Sequence, residues 1–152
     1  MPHSQIDSTI ERASSGSFVY PLGVAPLEPV ECREGYSVTF EASDGGEAPG
    51  DWEEWPDRYL FEVVVSATRL RTLCRALFSL LPGRVYPILD VLGGDAYREV
   101  DPYIAYDPVG FDRLVEVIRR HGDWLYEDGM VGFGAMADEP FLYIYIDEHK
   151  II

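Results

Sequence analysis

The sequence predicts one α+β domain with a ferredoxin-like split β-α-β core and an extra strand at each end. Three observations predict it. Apolar residues recur with a period of two in some windows and with helical spacing in others. Those windows follow the order strand, strand, helix, strand, strand, helix, strand, strand, and the middle six match the split β-α-β order. The chain has 152 residues, 47% of them hydrophobic, which suits one buried core and not a disordered polymer. The expected domain spans 36–152 and follows an arm over 1–35.

Each element has its own signal. Residues 1–17 are polar and Ser-rich, an arm or a short helix around 6–13. Pro21, Pro26 and Pro29 favour an extended crossing of the surface over 18–30. Residues 36–42 set Tyr36, Val38 and Phe40 against Ser37, Thr39 and Glu41, the alternation of a half-buried strand. The Gly- and acid-rich loop 43–56 joins that strand to 59–65 as a long hairpin. Residues 61–65 are aromatic and β-branched, which suits a pleated surface. Ser66 or Thr68 offers a hydroxyl to the helix start. Leu70, Leu73, Cys74, Leu77, Phe78 and Leu81 then fall on one helical face, and Pro82-Gly83 stops the helix. The polar side, Thr68, Thr72, Arg75, Ala76 and Ser79, is thin. Residues 85–92 form the next strand, in which Pro87 lacks a ladder donor and so predicts an edge or a bulge. The strand–helix–strand unit 59–92 is the best-defined part of the sequence.

Residues 93–101 are a turn-rich link, and 103–106 read as a short strand. Asp107 caps a second helix that Pro108 opens. Phe111, Leu114, Val115 and Ile118 mark its buried face, Arg119, Arg120 and His121 sit at its negative end, and Gly122 terminates it. Residues 131–137 and 141–147 form a hairpin across Asp138-Glu139-Pro140. Phe141, Tyr143 and Tyr145 face one way and Leu142, Ile144 and Ile146 the other, so the last strand is expected to be covered on both sides. Gly132 and Gly134 remove two side chains from one face of its partner, which predicts a bend or the close approach of another group.

Charge narrows the partners. A net charge of −15 repels nucleic acid and anionic membrane and suits a protein partner or a second copy. Arg69, Arg71, Arg75 and Arg84 form a basic island in a stretch with no acid, whereas eight acids and no base lie between Glu34 and Asp57. A homodimer that sets island against acids or pairs along 141–146 is one expected arrangement, and a monomer whose acidic loop folds back over its own helix is the rival. Eleven of the 12 Lys and Arg residues are Arg, the coding bias of a GC-rich bacterial genome. No apolar run is long enough to span a bilayer, the first residues lack a signal-peptide core, and two Cys, Cys32 and Cys74, are expected as reduced thiols. The expected compartment is the cytoplasm.

No constellation carries obvious chemistry. The three His have no metal-ligand spacing, and Asp44 to Asp51 does not match an EF-hand loop. There is no Gly-x-Ser-x-Gly, and Gly132-Phe-Gly134 is followed by no helix. No cofactor, metal or catalytic residue is assigned, and the reading leans away from an enzyme. Two functions are left. The first is a non-enzymatic domain that acts by protein–protein contact, regulatory or inhibitor- and immunity-like, with Arg69, Arg71, Arg75, Trp52 and Trp55 as the candidate interface. The second is a small-molecule or effector-binding domain that uses a tyrosine-lined sheet face, with Tyr86, Tyr103, Tyr106, Tyr143, Tyr145 and Arg98 as the candidate site.

Overall fold

A computed structural model describes residues 11–42, 57–92 and 100–147. Within them the chain is α+β, with two helices and antiparallel sheets. Two short strands, β1 (Ser14–Ser15) and β2 (Phe18–Val19), form a first hairpin. β3 (Gly35–Glu41) and β4 (Arg58–Val64) form a second. Helix α1 (Ala67–Phe78) leads to β5 (Arg84–Leu92), β6 (Val100–Ile104), β7 (Val109–Gly110), helix α2 (Phe111–Glu127), β8 (Val131–Asp138) and β9 (Phe141–Ile146). The main sheet runs β6-β5-β8-β9, with β7 beside the start of β5.

The expected ferredoxin-like pairing is not found among the described residues. That arrangement requires the strand before α1 to enter the main sheet; here β4 pairs with β3 in a ladder of its own. β5 is therefore flanked by β6 and β8, and Pro87 lies in a central strand and not at an edge. It is tolerated because the neighbouring ladder is broken there. β7 pairs with Arg84 and Val85, and β6 begins pairing only at Ile88. The Pro87 carbonyl accepts from the Ala105 N–H at 3.0 Å. The amide nitrogen of a strand residue points to the same side as its carbonyl, so the missing donor faces this interruption and the β8 ladder loses nothing.

Both helices cover one face of the sheet. Leu70, Cys74 and Phe78 of α1 and Leu114, Leu125 and Tyr126 of α2 join Val85, Val131, Phe133, Ala135, Ile144 and Ile146 in one core. Phe133 packs between the rings of Phe78 and Tyr126, at centroid distances of 6.0 and 5.2 Å. The α1 face is the one the spacing predicts, with Leu73, Leu77 and Leu81 beside it, while Thr68, Thr72, Arg75, Ala76 and Ser79 are exposed. Ala, Leu and Arg, the strongest helix formers, make up most of α1, so its propensity and the burial of its core face act together.

Several local expectations change. α1 has no side-chain cap; the hydroxyl of buried Ser66 instead accepts from the Val19 N–H at 3.0 Å, which ties the N-terminal segment to the helix start. Phe18 and Tyr20 of that segment are buried. α2 starts at Phe111, not at Pro108, because Val109 and Gly110 are held in the β5 ladder and the Phe111 N–H donates to the Gly83 carbonyl. It also runs through Gly122 to Glu127, with a kink at His121 (φ −112°, ψ 16°). The kink brings Asp123 to Arg71 at 2.6 Å and places the Arg71 guanidinium over the Tyr126 ring. These contacts retain a turn that a glycine would otherwise end.

Candidate functional site

The tyrosines assigned to one face divide between two. Strand alternation puts Tyr86, Asp90, Met136, Tyr143 and Tyr145 on the sheet face away from the helices. There the Tyr145 hydroxyl donates to Asp90 Oδ2 at 2.5 Å, and the rings of Tyr143 and Tyr145 stack at 6.0 Å. Asp90 Oδ1 is buried with no hydrogen-bond partner among the described residues. Burial, and then the Asp90 charge, pushes the Tyr143 hydroxyl above the ordinary phenol range. A hydrogen bond to the Asp138 carboxylate does the same to Tyr86. Gly134 makes this layout possible: a Cβ there would overlap the Ile144 carbonyl oxygen of β9. That is the close approach expected of this glycine. The face is not fully covered, since Phe141 and Tyr143 are about half exposed.

Tyr103 pairs with Leu89 and so lies on the helix-facing side, where it lines a cleft between α2 and the sheet. Tyr106 is 95% exposed and lines neither surface. Arg98 lies outside the described residues, as do Trp52 and Trp55 of the candidate partner interface. The structure thus brings Tyr86, Tyr143 and Tyr145 together and separates Tyr103 and Tyr106 from them.

The basic island already has partners within the chain. Arg69 pairs with Glu34 at 2.5 Å, Arg71 with Asp123, and Arg84 donates to the Pro108 carbonyl at 2.7 Å. Arg75 has no ion pair among the described residues. Glu34 also accepts from the Ser66 N–H at 3.1 Å; this bond, with Arg69, holds its carboxyl below the usual range. Glu34 and Ser66 are 32 residues apart, and no local sequence signal joins them.

One surface feature was not expected. β3 and β4 pair over seven residues each, yet no other described element makes more than a slight contact with them. Their register places Tyr36, Val38 and Phe40 opposite Val63, Phe61 and Tyr59 on one face. The other face carries polar pairs, among them Ser37 with Glu62 and Glu41 with Arg58. The alternation at 36–42 is real, but its apolar face is not covered: Tyr36 is 81% exposed, Phe40 52% and Val38 48%.

Among the described residues no group of three or more His, Cys, Asp or Glu is placed to hold a metal ion, and no helix is long and apolar enough to cross a membrane. No family model, curated protein or solved structure matches the chain.

Proposed function

We propose that this chain is a protein–protein contact module, regulatory or inhibitor-like, and that its contact surface is the apolar face of the β3–β4 ribbon. The observation that carries this reading is a single one: six apolar side chains in register on one face of a two-stranded ribbon, five of them exposed. An isolated two-stranded hairpin is at best marginally stable in water, so such a face calls for a cover.

The partner we assign is a second copy. It is the one protein present wherever the chain folds, and a twofold axis lets one strip cover its own equivalent. None of the six side chains is charged, so the apolar strip itself sets no like charges against each other. Aromatic side chains bury about 150–250 Å² each when fully covered, so two such faces remove roughly 1,000–1,500 Å² in total, within reach of a specific interface. The contact is apolar, in place of the arginine-to-acid pairing expected from charge, because Arg69 and Arg71 are engaged within the chain.

Sedimentation across a concentration series tests this reading. The expected result is a concentration-dependent dimer that persists in high salt, which screens exposed charge but not apolar burial. Val38→Glu with Phe61→Glu should return the 17.2 kDa monomer. A wild-type monomer at about 100 µM, far above the Kd expected of a specific dimer, would overturn the proposal.

A further inference from the structure

The cleft between α2 and the sheet has a volume of about 330 Å³, at the lower end of ligand-binding pockets. Its anatomy is a closed floor and an open rim. Leu114, Leu125 and Phe133 are at most 6% exposed, whereas Tyr103, at 59%, and Trp124, at 40%, stand at the mouth. The cleft is a product of the fold. α2 is anchored to α1 at its far end by Asp123 and Arg71, and at its start by the Phe111 N–H to the carbonyl of Gly83, the residue before β5. The kink at His121 lies between these two ties, and His121 itself lines the cleft.

The lining defines the ligand. Among the described residues no Asp, Glu, Lys or Arg contributes to it. A charged group entering would lose its water and meet no carboxylate, ammonium or guanidinium of the described residues. Three of the lining residues, Tyr103, Trp124 and Phe133, are aromatic, which favours a flat ring held by offset or edge contacts. Only Tyr103, His121 and Trp124 bring hydrogen-bonding side-chain atoms, enough to orient one polar substituent. We infer that this cleft is a binding site for an uncharged, flat aromatic molecule of one or two rings bearing a single hydroxyl or comparable group. The site is separate from the ribbon and does not depend on its pairing.

The test uses 2-naphthol as the probe, with 2-naphthoate as its anionic counterpart, on the full chain. Amide resonances are followed by NMR and melting temperature by thermal shift. 2-Naphthol should raise the melting temperature with concentration and move the resonances of Tyr103, Ala105, Ile118 and His121. 2-Naphthoate should bind about tenfold more weakly or worse, because its carboxylate loses its water and meets no Lys or Arg of the described residues. Val117→Trp, at a rim position that is 39% exposed, should obstruct the cleft and abolish the shifts while the protein keeps its melting temperature. Should that variant fail to fold, Trp124→Ala is read instead and should weaken binding by removing one ring wall. The inference is overturned by the absence of any shift, by shifts confined to ribbon residues such as Val38 and Phe61, or by equal binding of the two probes.

Discussion

Ser66 is the only buried polar residue among those described, at 4% exposure, and its atoms face in two directions. Its N–H donates to Glu34, and its hydroxyl accepts from Val19. One position therefore holds the base of the ribbon and the N-terminal segment against the start of α1. Ser66→Ala leaves the Val19 N–H without its acceptor and should cost about 1–3 kcal/mol in chemical denaturation; a change inside experimental error would show that the bond contributes nothing. Glu34 supplies the pH dependence. Its folded value lies below the ordinary 4.5, so its contribution is present above about 4.5 and is lost as pH falls through the lower folded value. Glu34→Gln should therefore be less stable than wild type at neutral pH, and the gap should close in acid. A gap that is independent of pH would mean that the lost carboxylate charge is not the cause. Neither residue announces itself: an N-cap hydroxyl is a local expectation, whereas its actual partner comes from 47 residues away.

At the scale of elements, α1 was legible because its information is local. Helical spacing alone marks Leu70, Leu73, Cys74, Leu77, Phe78 and Leu81; within the helix Leu70, Cys74 and Phe78 are buried, and Leu73 and Leu77 are partly buried beside them. Phe78 fills the contact with Phe133, so Phe78→Ala should cost about 3–5 kcal/mol in denaturant unfolding. Leu77, only partly buried beside the same core, should cost less. Equal losses at both positions would shift the helix face. The remaining elements depended on who pairs with whom. Pro87 reads as an edge residue until the gap between β6 and β7 is known, and Asp107-Pro108 reads as a helix start until β7 is seen to hold Val109 and Gly110. Gly134 carried a correct warning, since β9 passes where its side chain would stand. Gly134→Ala should destabilise by about 2 kcal/mol or more, because backbone must move to admit the methyl group.

For the whole molecule, the sequence order strand–helix–strand suggested one continuous sheet, and nothing local says that its first strand belongs elsewhere. That choice rests on β4 pairing with β3, which leaves β5 to take β6 and β8 as neighbours. The described residues are thereby divided into a core that packs Phe133 against Phe78 and Tyr126 and a ribbon with one apolar face exposed. Local stability should divide in the same way, because opening free energy follows buried apolar contact. Amides of β8, within the core, should exchange only through global opening. Amides of β3 and β4 should exchange far more readily at low protein concentration, where the ribbon has no cover, and become protected as concentration rises and a second copy covers it. The Val38→Glu, Phe61→Glu double variant should stay unprotected at every concentration while β8 keeps its slow exchange. Hydrogen exchange read by mass spectrometry at two concentrations about a hundredfold apart distinguishes these outcomes, since mass action shifts a dimer by that ratio and leaves a monomer unchanged. Ribbon protection already complete in the dilute sample, and unaltered by the double variant, would mean that the ribbon is stable alone and that its apolar face requires no partner.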